Sequence, residues 1–155
     1  MIFQISRVPE TLEDFREMLP ELQQSPEGAA VACILALKIL ASNTEAGTTA
    51  LQLLDPDVAR YRLDLAVRQL AKLPVMMNSY FLGTSPEEGY ALPEQLSAEF
   101  TTNKYSGSPE EGSVKLFTAC SGASSSRPVT VRRLDNGKWY PYEWSSLIVG
   151  VIAPS

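Results

Sequence analysis

Apolar residues recur at helical spacing through the first half of the chain and alternate with polar ones through much of the second. Leu12, Phe15, Leu19 and Leu22 share one helix face, and Thr11 followed by Asp14 imitates a capping box at its start. Pro20 is expected to kink or end this helix. Ser25-Pro26-Glu27 sets a capping hydroxyl before a proline at the first helical position. The run that follows, Ala29 to Ala41, is apolar on nearly every side, the pattern of a central core helix. A shorter helix is predicted from about Glu45 to Leu54, and Asp55-Pro56-Asp57 repeats the cap-plus-proline device to open a fourth, which reaches about Lys72. There Ala59, Leu63, Ala66, Val67, Leu70 and Leu73 form the core stripe, with Arg60, Asp64, Arg68 and Lys72 opposite and both arginines within reach of Asp64. Tyr61 and Leu65 fall outside the stripe and are expected to be covered by a second layer.

Past Pro74 the punctuation changes. Ser85-Pro-Glu-Glu-Gly89 and Ser108-Pro-Glu-Glu-Gly112 are one pentapeptide used twice. In each, Ser caps, Pro presets φ and Gly accepts positive φ at the exit, which predicts a one-turn helix or a type I turn. The segments between do not match, so this is no solenoid repeat. Leu96, Ala98 and Phe100 alternate with polar residues, as do Val114, Leu116, Thr118 and Cys120, with Lys115 and Phe117 on the opposite face. Pro128 to Leu134 and Lys138 to Trp144 flank Asp135-Asn136-Gly137, the strongest hairpin signal in the chain. Pro141 cannot donate a ladder hydrogen bond, so its strand is expected at an edge or with a bulge. The last apolar run, Leu147 to Ile152, reads either as a final strand or as a segment packed on the helices. The expected architecture is α+β within one domain of 155 residues. About four helices in residues 1–73 pack on a mostly antiparallel sheet of four to five strands in residues 74–155.

Composition narrows the chemistry. Histidine is absent from the chain, which excludes Ser-His-Asp and Cys-His nucleophile systems, His-ligated zinc and imidazole proton shuttles. Two cysteines, Cys33 and Cys120, cannot build a four-cysteine zinc or iron–sulfur site, and no cofactor is indicated. Residues 1–112 hold 8 Lys/Arg against 16 Asp/Glu, whereas residues 113–155 hold 5 against 2. The overall charge of −5 argues against dedicated nucleic-acid binding. The basic segment faces the acidic one within the molecule or forms a cationic patch for an anionic ligand or a protein partner. The longest apolar stretch, Ala29 to Leu37, falls far short of the roughly 18–20 residues that span a bilayer. Met1 to Arg7 lacks the pattern of an export signal, so the expectation is a cytoplasmic protein with free thiols and no membrane partner. Oligomeric state is left open.

Two local constellations carry candidate chemistry. The first, Cys120-Ser-Gly-Ala-Ser-Ser-Ser-Arg127, has the elements of a phosphate loop in which a thiolate and an arginine flank an anion cradled by backbone N–H groups. Its spacing is one residue too long, alanine stands at position 119 in place of the usual histidine, and Pro128 favours an extended exit. A Ser/Gly-rich loop between strands is the preferred reading, with a histidine-free enzyme or anion-binding protein as the alternative. The second is the aromatic strand with Trp139, Tyr140, Tyr142 and Trp144. In an unbroken strand Tyr140, Tyr142 and Trp144 share a face, and with Arg127, Arg132 and Arg133 across the hairpin they offer a stacking-plus-cation surface. Arg127, Arg132, Arg133, Tyr140, Tyr142 and Trp144 are therefore the candidate binding residues of a non-enzymatic interaction module. No catalytic or metal-ligating residue is assigned. The glutamate pairs Glu87/Glu88 and Glu110/Glu111 sit in turns, where exposed carboxylates are the norm.

Ser126-Arg-Pro-Val-Thr-Val-Arg-Arg133, the Asn-Gly-Lys-Trp139 turn and Tyr142-Glu-Trp-Ser-Ser-Leu147 resemble the C-terminal signature of an uncharacterised bacterial family, a domain of unknown function. Ser79-Tyr-Phe-Leu-Gly-Thr-Ser-Pro-Glu87 is similar to its middle segment. The resemblance covers about half the chain by motif, implies a bacterial, cytosolic, globular protein, and transfers no catalytic residue.

Overall fold

The computed structural model describes residues 1–155. Helix α1 (Leu12–Leu22) starts at the predicted cap, where Thr11 Oγ1 accepts the Asp14 amide at 3.1 Å. Pro20 does not end it. The helix runs two residues beyond the proline because Leu19 and Leu22 are both buried in the core, and the Gln23 amide still reaches the Leu19 carbonyl at 2.9 Å. Helix α2 (Pro26–Ser42) is capped by Ser25 and buries 13 of its 17 residues. Its single cation, Lys38, is half-buried and donates to Asn78 Oδ1 at 2.6 Å. Asn43 then ends α2 and caps α3 (Thr44–Leu54), its side chain accepting the Ala46 amide at 3.0 Å.

The fourth helix departs from expectation. Asp55 does not cap it. Its carboxylate accepts the Asp57 amide at 3.0 Å and its carbonyl the Val58 amide at 3.1 Å, forming a closed local turn. With that side chain spent on the turn, α4 begins only at Arg60 and ends at Lys72, preceded by Ala59 with no side-chain cap. Leu63, Ala66 and Leu70 of the predicted stripe are buried. Arg60 pairs with Asp64 at 3.6 Å, but Arg68 does not. Leu65 is partly covered, whereas Tyr61, expected beneath a second layer, is 70% exposed.

Both Ser-Pro-Glu-Glu-Gly segments form the predicted single turns, with φ of 66° at Gly89 and 77° at Gly112. The sheet has six strands: β1 (Ile2–Ile5), β2 (Leu96–Thr101), β3 (Gly107–Ser108), β4 (Ser113–Thr118), β5 (Arg127–Arg133) and β6 (Trp139–Glu143). They lie in the order β1-β2-β4-β5-β6, with β3 beside β4 and every pairing antiparallel. The architecture is the expected α+β, although β1 lies ahead of the helices, where the pattern of the chain marks no strand. The run Leu147 to Ile152 adds no strand. Ser145–Ile148 form a short 3-10 helix whose Leu147 and Ile148 are buried against β5 and α4.

Helix α2 packs against β1, β4, β5 and β6 as well as against the other three helices. Inward side chains Ala98, Phe100, Val114, Leu116, Val129, Val131 and Trp139 join it in one buried cluster of 36 residues. Helices α2 and α3 meet closely, and a Cβ on Gly47 would lie 2.2 Å from the Leu40 Cα. Gly47→Ala is expected to destabilise the fold by about 1–3 kcal/mol despite a helix-propensity gain of about 1 kcal/mol, because main chain must yield. Urea unfolding measures this, and a variant as stable as the parent would show that the two helices separate freely.

Candidate functional site

Strand β6 sits at the edge of the sheet and carries a bulge. Thr130 pairs with Glu143 and Val131 with Pro141, so Tyr142 has no residue opposite it on β5. The extra residue shifts the alternation by one. Trp139 and Pro141 face inward, Tyr140 and Tyr142 outward, and Trp144, beyond the bulge, turns into the core at 1% exposure. The shared face expected for Tyr140, Tyr142 and Trp144 is therefore broken.

Arg62, from the first turn of α4, closes the bulge. Its Nη1 donates to the Tyr142 carbonyl at 2.9 Å, the acceptor left without a ladder partner, and its Nη2 donates to Glu143 Oε2 at 2.6 Å. The side chain is only 11% exposed, and its guanidinium lies 5.6 Å from the Trp144 ring centroid and 5.9 Å from that of Tyr61. Glu143 also accepts the Ser145 amide at 2.9 Å and the Ser145 hydroxyl. Burial alone would push the Glu143 carboxyl above its usual range, but the two Ser145 hydrogen bonds and the Arg62 charge outweigh it and hold the carboxyl below that range. This clamp joins the helical half to the hairpin. Sequence reasoning passed over Arg62, because neither its helix position nor its neighbours in the chain mark it.

On the outward side, the Arg132 guanidinium stacks on Tyr142 at 3.4 Å from the ring centroid. Tyr140 meets Tyr142 edge to face at 6.5 Å and 83°. These two tyrosines, with Tyr61, Arg62, Asp55 and Asp57, line a cleft of about 300 Å³ between the start of α4 and the hairpin. Burial is the main cause that pushes the Asp55 carboxyl up, and the neighbouring Asp57 charge adds to it. Tyr140 is raised by burial and then by the Asp55 carboxylate, against the opposing pull of Arg132. A phenol made less acidic is a poor proton donor at neutral pH. The cleft instead presents tyrosine rings and two carboxylates, with the Arg132 guanidinium stacked on Tyr142 nearby, which are groups suited to recognition.

Of the six candidate residues, the structure brings together Arg132, Tyr140 and Tyr142. Arg133 is turned aside, donating to the Pro109 carbonyl at 2.9 Å. Arg127 lies at the far end of β5, opposite Thr118, and donates to the Gly150 carbonyl at 3.1 Å. Trp144 is core. In the loop after Cys120, the Ser121 amide donates to the Ser79 carbonyl at 2.8 Å and the Ala123 amide to the Cys120 carbonyl at 3.4 Å, so these two amides are committed within the protein. The Cys120 sulfur rests 3.3 Å from the Ser79 hydroxyl. Complete burial pushes the Cys33 thiol far up, which leaves it an inert core group.

A family model described as a domain of unknown function (DUF6935) matches residues 7–155. No curated protein and no solved structure matches the chain.

Two stability measurements separate scaffold from surface. Trp144→Ala is expected to cost about 3–5 kcal/mol, as for a fully buried aromatic, whereas a small loss would place this ring outside the core. Glu143 has a lowered pKa when folded, so its stabilising contribution is present above the ordinary glutamate range and is lost as pH falls through the lower folded value. The stability difference between the parent and Glu143→Gln should therefore be large at pH 7 and shrink towards about pH 3. Urea midpoints across that range test the sign, and a gap that widens in acid would refute it.

Proposed function

The chain belongs to the DUF6935 family, and on that premise we propose that it is a non-enzymatic interaction module that docks a partner protein on the outward face of the β5–β6 hairpin. One observation carries this reading: Arg132 stacks on Tyr142 beside Tyr140, and the two tyrosines border, with Tyr61, a cleft next to the Arg62 clamp. Tyr61 at 70% and Tyr142 at 40% exposure leave large ring surface in water. Tyr and Arg are enriched among the residues that dominate binding energy, because they bury much area at small conformational cost. A rigid mount keeps that cost low. The stacked guanidinium also suits an anionic group on the partner, at the basic end of an otherwise acidic chain.

No helix is long and apolar enough to cross a membrane. We read the domain as bacterial and cytoplasmic, a reading supported by two free thiols, Cys33 and Cys120, and by the resemblance of its hairpin signature.

The double variant Arg132→Ala/Tyr142→Ala should lose a partner that the parent recovers specifically by affinity capture, while its melting temperature stays within about 2 °C. Recovery of the same partner by parent and variant would remove the hairpin from the interface. A large fall in melting temperature would show that both residues serve packing.

A further inference from the structure

The opposite end of the sheet offers a different kind of site. Met1 and Phe100 exchange both main-chain hydrogen bonds at 2.8 Å, which sets the register of β1 against β2. Antiparallel alternation then turns the N–H and C=O groups of Phe3 and Ile5 toward β2 and those of Ile2 and Gln4 away from it. The carbonyls of Ser97 and Glu99, opposite Gln4 and Ile2, confirm this parity, since they point away from β1 and accept the Leu82 and Ala119 amides. No strand pairs with the outer side of β1. Ile2 is 53% exposed there.

A groove of about 130 Å³ lies between that strand and α1. Five consecutive residues, Phe3 to Arg7, line it, so it follows the course of the strand. Its volume suits one side chain. Met18 and Leu22 of α1, with Phe3 and Ile5, supply apolar walls, and Glu17 and Glu21 supply carboxylates. Arg7 already lies 2.5 Å from Asp14 and 3.7 Å from Glu17, which leaves Glu21 with no ion-pair partner.

We infer that the outer edge of β1 binds an extended, basic segment of a partner protein as an added strand, with one lysine or arginine side chain lodged between β1 and Glu21. The free main-chain groups of Ile2 and Gln4 select an extended backbone. The apolar walls take the aliphatic stem of a long cationic side chain and the glutamates its charge. Charge also disfavours a second copy of this chain: α1 carries Glu13, Asp14, Glu17 and Glu21 against Arg16 alone, and β1-to-β1 pairing would bring two such acidic helices together.

The test uses the full chain with two synthetic peptides, Val-Lys-Val-Lys-Val and Val-Glu-Val-Glu-Val, followed by fluorescence anisotropy and by amide hydrogen exchange. The lysine peptide should bind saturably and slow exchange at Ile2 and Gln4, and the glutamate peptide should bind at least about tenfold more weakly. Gln4→Pro removes an outward donor without touching the β1–β2 ladder and should weaken binding roughly threefold to tenfold. Glu21→Lys should weaken it by a similar factor or more, and Tyr142→Ala, on the hairpin, should leave it unchanged. Equal binding of both peptides, insensitivity to Gln4→Pro and Glu21→Lys, or no saturable binding of the lysine peptide up to about 1 mM would overturn the inference. So would protection of Ile2 and Gln4 that rises with protein concentration in the absence of peptide, because the occupant would then be a second copy.

Discussion

Helix α2 has no face it can leave in water, and the rest of the molecule is arranged to cover it. With 13 of its 17 residues buried, it lacks the polar stripe by which a surface helix meets solvent. Removing that much apolar area from water is the main favourable term available to a chain of this size. Three helices cover part of its circumference. The sheet must supply the remainder, and α2 accordingly meets strands from β1 at one edge to β6 at the other. Close approach follows from the same demand, as at Gly47, where the α3 main chain comes against Leu40 with no room for a side chain.

The seam between α4 and β6 is where this covering layer closes, and the polar groups stranded there become a clamp. The bulge at Tyr142 turns Trp144 inward but leaves a carbonyl out of the ladder. Arg62 supplies that carbonyl with a donor while pairing with Glu143. The same bulge leaves Tyr140 and Tyr142 on the solvent side, next to Arg132. One backbone irregularity thus completes the core, anchors the hairpin and displays the aromatic surface. At the other edge, no strand pairs with the outer side of β1, and the amides and carbonyls of Ile2 and Gln4 face away from β2.

Local chemistry was legible directly from the chain. The caps at Thr11 and Ser25, both Ser-Pro-Glu-Glu-Gly turns, the β5–β6 hairpin, the all-apolar central helix and the α+β order rest on contacts or periodicities within a few residues, so sequence by itself determined them. Tertiary structure decided the cases in which a local preference met a distant partner. Pro20 stays within α1 because Leu19 and Leu22 must both be buried, and β1 forms because residues 96–101 lie ready to pair with it across the molecule. Arg132, Tyr140 and Tyr142 converge while Arg127 and Trp144 do not, because a single bulge resets which face each side chain occupies and the length of β5 separates its ends. Residue spacing encodes periodicity along one strand, but the position of a bulge and the donor that satisfies it are fixed by burial against α4, some 80 positions away in the chain.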